Sequence, residues 1–277
     1  MALKENQLKF FADFIEKHLG IMYAPQVYYQ LEQRIDKVAE FLALPGGSQE
    51  VYDKAIKEGI SGDFKQYLLD ISTNNETSFF RDPKVFQSLQ THIFPNFVKN
   101  FPTAFNFRVW CAAASYGQEP YSVAMLVQDL LAANPSHPRV EIVATDIADH
   151  ALKRCREAKY TQLEVQRGLP ALKLVKNFSR GEEGFWDLKP EVRRLVDFKK
   201  QNLLDPFAAL GKFHVILCRY VLIYQDSVKK KQIVQNLEKC LHPNGILVFG
   251  ASESAFGLSQ DLEQISFDGA IFYRKKS

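Results

Sequence analysis

The sequence has few cysteines, little net charge and no long apolar run. Its four cysteines, Cys111, Cys155, Cys218 and Cys240, lack the paired spacing of a metal site or redox motif, so we expect reduced, mostly structural thiols. A net charge of +3 without a long basic run disfavours nucleic-acid binding. No apolar run approaches membrane-spanning length, and the first residues lack the apolar core of a signal peptide. We therefore expect a cytoplasmic protein.

Two regions of different periodicity make up the chain. Residues 1–73 have helical spacing throughout, broken at Pro45-Gly-Gly, which predicts an all-helical N-terminal domain. From residue 102 onwards, apolar strand patterns alternate with helical patterns, which predicts an α/β domain with a mainly parallel sheet over 102–277. Residues 74–101 would link the two. Strands are expected at 107–111, 140–145, 213–218 and 246–250, and helices at 50–57, 63–71, 119–132, 148–158 and 228–241.

Two further pairs of short strands are expected in the second region. The segments 265–267 and 270–273 around Asp268-Gly269 predict a C-terminal antiparallel hairpin. The segments 185–189 and 194–199 are joined through a proline, where a simple α/β unit would need one strand and one helix. We predict that they form a small antiparallel insertion at about 178–200.

The segment Val109–Tyr121, VWCAAASYGQEPY, is the most informative of the chain. It runs from a buried strand through a turn of small residues that includes Ala113, into a helix with Pro120 in its first turn. Such a strand, turn and helix offers amide donors and the positive end of a helix dipole to a polar ligand. A tight turn within an α/β core is the alternative, because alanines replace the glycines of a dinucleotide fingerprint.

Polar residues follow the predicted strands, where ligands bind in open parallel sheets. Glu119 follows the first strand, Asp146 ends the second, and Arg219 follows the strand at 213–218. The Asp146 carboxylate could accept hydrogen bonds from ribose hydroxyls. Its alternative role is to cap a helix that begins near Ala148.

A polar and then aromatic segment, Thr73–Pro83, connects the two regions. Its dense hydrogen-bonding capacity favours a functional loop that lines an interdomain cleft. The alternative is a capped linker, in which Asn75 or Thr77 caps a helix and Phe79 and Phe80 pack underneath.

Four blocks in this order, NNETSFFR, WCAAASYGQEPYS, ATDI and CRYVLIY, resemble the signature blocks of the CheR family. Members are chemotaxis receptor protein-glutamate O-methyltransferases that use S-adenosylmethionine. The resemblance covers nearly the whole chain. It implies a class I methyltransferase fold, Rossmann-like, with a helical N-terminal domain and a small inserted β-subdomain. It also implies a monomer without metal or nucleic acid, whose partner is a receptor and which reaches the membrane only through that receptor.

The same resemblance implies roles for individual residues. Arg81 and Tyr224 would lie nearest the transferred methyl group and the incoming carboxylate. Family members commonly have Asn where Tyr220 stands and an acidic residue where Gln118 stands, so the chain departs from the pattern there. The implied cofactor contacts are Asn75, Thr77, Arg81, Ala113, Glu119, Asp146, Asn202, Leu203, Arg219 and Tyr220.

The receptor would meet the enzyme at a basic groove, for which Arg34, Lys37 and Lys84 are candidates. The alternative for these side chains is an ordinary solvated surface. The compact loop Arg180–Gly184 resembles family members that do not need a peptide tether at the receptor C-terminus.

Three other functions compete with this interpretation. A nicotinamide-dependent dehydrogenase shares the strand and turn geometry, but the glycine fingerprint is missing. A methyltransferase that acts on nucleic acid or a small molecule would have the same fold. A non-catalytic module that binds the cofactor or the receptor is kept open by Tyr220, whereas the presence of both Arg81 and Tyr224 favours catalysis.

Overall fold

A computed structural model describes residues 3–277, which divide into two compact units. The first unit comprises the residues up to Asn74 together with Tyr224–Lys229. The second comprises Asn75–Ile223 and Lys230–Ser277. Within residues 3–277, no helix is both long enough and apolar enough to cross a lipid bilayer.

The first unit is helical. Its helices are α1 (Glu5–Leu19), α2 (Tyr28–Phe41), α3 (Gly47–Glu58) and α4 (Gly62–Ser72). Apolar residues at helical spacing are fully buried, among them Phe11 and Ile15 on α1 and Leu31 and Ile35 on α2. This burial is what the periodicity of the sequence predicted.

The second unit has two short helices, α5 (Pro83–Ser88) and α6 (Phe97–Asn100), before its first strand. Strands and helices then alternate, as expected for an α/β domain. In chain order they are β1 (Asn106–Ala112), α7 (Gln118–Ala133), β2 (Arg139–Asp146), α8 (Asp149–Glu157), β3 (Lys159–Tyr160), α9 (Gln162–Gln166), α10 (Ala171–Asn177), β4 (Phe178–Arg180), β5 (Trp186–Leu188), α11 (Pro190–Arg193), β6 (Val196–Lys200), β7 (Phe213–Cys218), α12 (Ser227–Lys239), β8 (Leu241–Val248), β9 (Leu262–Phe267) and β10 (Ala270–Lys275).

The main sheet has the strand order β6-β2-β1-β7-β8-β10-β9. The five strands from β6 to β8 are parallel, and β10 and β9 form the antiparallel end of the sheet. Both faces of β1 are buried, with Val109 and Cys111 in one apolar cluster and Trp110 and Ala112 in the other. The mainly parallel sheet with a C-terminal hairpin is therefore confirmed.

A separate small antiparallel sheet has the order β3-β5-β4, so the expected insertion exists. The prediction that 194–199 belongs to it is wrong. The strand β6 pairs in parallel with β2, with Val196 opposite Ile142. The strand β5 has β3 on one side and β4 on the other, so it has no free edge for a further partner. A short half-exposed strand signals an edge position but does not reveal which sheet it joins.

Candidate functional site

Four neighbouring strands of the main sheet, β6, β2, β1 and β7, end at the same edge. Residues that follow or end these strands are Asn202, Asp146, Ala113 and Arg219, one from each strand. The crevice beyond the carboxyl ends of such strands is where open α/β sheets bind ligands. Because β6 lies in this sheet and not in the insertion, Asn202 belongs to the same edge as the other three.

The turn after β1 has an unusual backbone. Ala113, Ser115 and Gly117 all have positive φ, at 61°, 51° and 90°. A side chain at position 117 would be strained by this φ and crowded, because its Cβ would lie 3.0 Å from the hydroxyl of Tyr160 and 3.2 Å from the sulfur of Cys155. Left-handed residues bring backbone amides to one side of a turn, which makes a concave surface for a polar ligand. This geometry supports the ligand-binding interpretation of the turn.

Asp146 fixes this turn from the end of β2. Its Oδ2 accepts a hydrogen bond from the Ser115 amide at 2.8 Å, and its Oδ1 accepts one from the Ala148 amide at 2.9 Å. Burial raises the pKa of Asp146, and these backbone amides oppose the shift. Asp146 is not the N-cap of α8, because that helix starts at Asp149 and Ala148 occupies the cap position. A carboxylate offers about four lone-pair sites, so Asp146 retains acceptor capacity for a ligand hydroxyl.

The segment that precedes α5 is tied to the same turn. The hydroxyl of Ser115 donates to the carbonyl oxygen of Asn75 at 2.9 Å, and the Asn75 amide lies 3.2 Å from His150 Nε2. Phe79 and Phe80 are buried, as the linker alternative expected. Asn75 and Thr77 do not cap α5, however, because Asp82 precedes it.

Arg219 is the centre of the charge network after β7. Its Nη1 donates to Glu119 Oε2 at 2.7 Å, and its Nη2 donates to Asp82 Oδ2 at 2.6 Å and to the Arg81 carbonyl oxygen at 2.7 Å. The Arg219 side chain is 1% exposed. Burial opposes its charge, but the two carboxylates outweigh burial and raise the pKa of Arg219. Burial raises the pKa of Glu119, and the neighbouring Arg219 opposes that effect.

Two residues of this network, Asp82 and Glu253, were not among the predicted site residues. Glu253 Oε2 accepts hydrogen bonds from the amides of Tyr220 and Gly250 at 2.6 and 2.8 Å, and Oε1 accepts one from Ile223 at 3.2 Å. Glu253 follows the strand predicted at 246–250 by three residues. Ligands bind beyond the carboxyl ends of strands in open parallel sheets, and this rule would have identified Glu253 from the sequence.

Among the remaining residues that the sequence singled out, Asn202 has a local structural partner. Asn202 Oδ1 accepts the Leu204 amide at 3.0 Å and so shapes the turn after β6, and Leu203 is buried. Gln118 is buried, and its Oε1 has no hydrogen-bond partner among residues 3–277. Thr77 is half-buried.

Tyr224 and Arg34 belong to the helical unit. The Tyr224 hydroxyl accepts a hydrogen bond from Asn74 Nδ2 at 2.6 Å. Arg34, expected in a docking groove, donates to the Ser72 carbonyl oxygen at 2.5 Å and to the Tyr23 hydroxyl. Its guanidinium is therefore engaged inside its own unit, whereas Lys37 is exposed.

Comparisons with known proteins identify relatives of this chain. The chain is similar to the chemotaxis protein methyltransferase Cher2 of Pseudomonas putida, with 34% identity over 268 residues, covering 96% of each protein. It is 30% identical to the chemotaxis protein methyltransferase of Escherichia coli, covering 92% of this chain and 86% of that protein. Among solved structures, the N-methyltransferase NodS from Bradyrhizobium japonicum in complex with S-adenosyl-L-homocysteine gives a TM-score of 0.38 at 15% identity, covering 75% of this chain and 95% of that chain.

A family model described as the CheR methyltransferase, SAM binding domain, matches residues 75–271. This range contains the turn after β1, Asp146 and the Arg219 network. The dehydrogenase alternative is therefore wrong, and the chain is a methyltransferase with an S-adenosylmethionine-binding domain. The chain belongs to the CheR methyltransferase family.

Proposed function

We propose that this protein methylates glutamate side chains on the cytoplasmic helices of chemotaxis receptors, giving glutamate methyl esters and S-adenosylhomocysteine. The observation that carries the proposal is the cluster at the carboxyl ends of β6, β2, β1 and β7, inside a region that matches the CheR methyltransferase model. The names of the relatives link the family to chemotaxis. The choice of glutamate as acceptor rests on the sequence resemblance.

The residues of the cluster suit S-adenosylmethionine, which supplies an electrophilic methyl group when bound. Asp146 retains acceptor capacity for ribose hydroxyls, and it already holds the Ser115 amide of the turn. Ala113 belongs to the left-handed turn, where a small side chain leaves the backbone open to a ligand. We assign the remaining contacts to Asn75, Thr77, Arg81, Glu119, Asn202, Leu203, Arg219 and Tyr220.

The acceptor needs little chemical activation. A glutamate side chain has a pKa of about 4.3, so it is already an ionised nucleophile at neutral pH and no general base is required. The enzyme must align the reacting atoms, and orientation alone can supply about 7–11 kcal/mol of the barrier. Arg81 suits this task because a guanidinium binds a carboxylate with two parallel hydrogen bonds. Tyr224 is the second residue we assign to acceptor orientation.

The cellular setting is part of the same proposal. We expect a cytoplasmic monomer whose partner is the helical cytoplasmic region of a receptor. The hairpin loop between β4 and β5 is short, with a 3-10 turn at Glu182–Gly184, and we propose that binding does not need a receptor tail peptide. The non-catalytic alternative is not favoured, because the relatives are named as methyltransferases. The small-molecule alternative is not favoured either, because both relatives are named as chemotaxis protein methyltransferases.

Transfer of a radiolabelled methyl group from S-adenosylmethionine to a purified receptor cytoplasmic fragment tests the proposal. Methyl esters release methanol in base, whereas N-methyl groups do not, so base-labile label is expected. Fragments whose methylation-helix glutamates are replaced by alanine should not be labelled. Base-stable label, or label that stays off the fragment, would contradict glutamate as the acceptor. Arg81→Ala and Tyr224→Phe variants with normal rates and normal cofactor binding would remove their assigned roles.

A further inference from the structure

The guanidinium of Arg81 lies over the ring of Tyr220. The guanidinium carbon of Arg81 lies 3.5 Å from the centre of the Tyr220 ring, well inside the roughly 6 Å range of cation–π attraction. The two residues lie in different loops, since Arg81 precedes α5 and Tyr220 follows β7. The contact therefore joins two loops of the second unit.

Tyr220 is held in place from three sides. Its hydroxyl donates to Asp82 Oδ2, and its amide donates to Glu253 Oε2 at 2.6 Å. The ring also lies against Gly250, where an added Cβ would come within 3.0 Å of Tyr220 Cγ and Cδ1. Tyr220 itself has a φ of 60°, a left-handed conformation that is rare for a bulky residue and persists only where its surroundings enforce it.

The stack restrains Arg81 without neutralising it. An aromatic face attracts a cation but accepts none of its in-plane N–H hydrogen bonds. Among residues 3–277 Arg81 makes no ion pair, and its Nη1 donates to the carbonyl oxygen of Glu76 at 3.2 Å. Arg219 differs, because two carboxylates already pair with it. The charge of Arg81 is thus oriented and still available to an anion.

We infer that Tyr220 is a positioning residue that holds the Arg81 guanidinium for a ligand carboxylate. The inference rests on the proposed function, which offers two such carboxylates, one on the methionine part of S-adenosylmethionine and one on the acceptor glutamate. Tyr220 acts through Arg81, so its ring face matters more than its hydroxyl.

Tyr220→Leu and Tyr220→Phe separate the ring from the hydroxyl. Cation–π energies of about 0.5–2 kcal/mol correspond to about 2- to 30-fold in affinity. We expect Tyr220→Leu to lose affinity in this range for the ligand whose carboxylate Arg81 binds. Tyr220→Phe should stay within about threefold of the wild-type affinity for that ligand. Equal losses in both variants, or no loss in Tyr220→Leu, would overturn the inference. Thermal unfolding of each variant shows whether it is folded.

Two ligand arms identify the source of the carboxylate. Calorimetric titration compares S-adenosylmethionine with decarboxylated S-adenosylmethionine. If the cofactor carboxylate is the ligand, Tyr220→Leu weakens binding of the first compound and not of the second. If the acceptor carboxylate is the ligand, cofactor affinity is unchanged and the KM for the receptor fragment rises.

A double-mutant cycle distinguishes positioning from a structural role. If Tyr220 acts through Arg81, the variant with both Arg81→Ala and Tyr220→Leu should bind the carboxylate ligand no more weakly than Arg81→Ala alone. Tyr220→Leu combined with Arg180→Ala is the control, because Arg180 stacks on Trp186 in the small sheet instead. Additive losses in the first pair would overturn the inference.

Gly250→Ala perturbs the same stack without replacing either partner, because its Cβ would lie 3.0 Å from the Tyr220 ring and 2.9 Å from Glu253 Oε2. The new methyl group would displace the Tyr220 ring, so losses should match those of Tyr220→Leu. Gly46→Ala is the control, because its Cβ would meet the flexible side chain of Glu50.

The wild type separates failure of this inference from failure of the proposed function. A wild type that binds the cofactor but transfers no methyl group to the receptor would contradict only the proposed acceptor, and the double-mutant cycle on cofactor affinity would still test the cofactor carboxylate. A wild type that binds no cofactor would overturn both.

Discussion

Arg219 and Glu119 form an ion pair with an Nη1–Oε2 distance of 2.7 Å, and their side chains are only 1% and 13% exposed. The pair joins the loop after β7 to the first turn of α7, on two neighbouring segments of the sheet edge that carries the candidate site. Removing water from two charges is costly, so such a pair is stable only when both charges remain.

Glu119→Gln should therefore be strongly destabilising. Breaking a buried pair by removing one partner costs about 3–5 kcal/mol, and we expect the lower end because Asp82 still pairs with Arg219. Urea denaturation measures the free energy of unfolding. Glu141→Gln is the matched control, since that carboxylate pairs with Arg108 at 31% and 25% exposure and should lose less than about 1 kcal/mol. Equal losses in the two variants would contradict the importance of burial.

Asp146→Ala should abolish measurable cofactor binding at concentrations that saturate the wild type. The substitution removes the acceptor for the Ser115 amide, which lets the turn relax. It also removes the carboxylate that we propose as the acceptor for ribose hydroxyls. Calorimetry with S-adenosylhomocysteine measures this loss. Asp149→Ala is the control, because Asp149 lies three residues further on and is 51% exposed. Wild-type affinity in Asp146→Ala would remove Asp146 from the site.

The sequence predicted β1, β2, β7 and β8 because each of them contains a short apolar run. It also predicted which residues follow those strands, and this placed Asp146 and Arg219 at one edge. The assignment of β6 failed because hydrogen-bond partners in a sheet are decided by tertiary packing, which local alternation does not encode. Glu253, by contrast, follows the strand predicted at 246–250, where the rule for residues that follow strands would have identified it.

The turn after β1 shows a different limit. Alanine and serine at positions 113 and 115 adopt positive φ, although such backbone favours glycine. A glycine-based motif search would therefore reject this turn. The Ser115 amide donates to Asp146 Oδ2 and the Ala114 amide donates to the Thr145 carbonyl oxygen. These tertiary hydrogen bonds stabilise the strained conformation, and no local sequence pattern indicates them.

Acid should destabilise the fold through His214. This side chain is 3% exposed and stacks on His242, and its Nδ1 accepts a hydrogen bond from the Arg108 amide at 3.0 Å. Burial, with His242 and Arg108 adding to it, lowers the pKa of His214 from 6.5 to about 4. The unfolded chain therefore binds a proton at a pH where the folded chain does not. The stabilisation is complete above pH 6.5 and is lost as the pH falls towards 4.

The size of this effect is about 3 kcal/mol, from about 1.4 kcal/mol for each unit of pKa. His214→Asn keeps an acceptor for Arg108 but cannot be protonated. Urea denaturation across this pH interval should show a shallower decline for the variant than for wild type. An identical decline in both proteins would show that His214 is not the responsible group.

The four thiols should be unreactive in the folded protein. Cys111, Cys155, Cys218 and Cys240 are buried and free, and burial raises the pKa of each. Since the thiolate is the reactive form, Ellman's reagent should modify the native protein slowly. Four equivalents of thionitrobenzoate should be released only after unfolding in guanidinium chloride. Rapid modification of one thiol in the native protein would reveal local opening around that residue.

Arg34 and Lys37 lie one helical turn apart on α2, yet the structure gives them different roles. Arg34 binds the Ser72 carbonyl oxygen at the end of α4, where a cation is favourable. Arg34→Ala should therefore lower the free energy of unfolding by about 1–2 kcal/mol, whereas Lys37→Ala should change it by less than about 0.5 kcal/mol.

Receptor affinity should depend on Lys37 and not on Arg34 if the exposed Lys37 contacts an acidic receptor helix. Lys37→Glu would weaken binding of the receptor fragment at low salt, and the difference from wild type would shrink as salt screens the charge. Thr73→Ala, which alters a hydroxyl and no charge, is a control for the helical unit. Receptor affinity that is insensitive to Lys37→Glu at every salt concentration would place the docking surface elsewhere, because Arg34 is already engaged within its own unit.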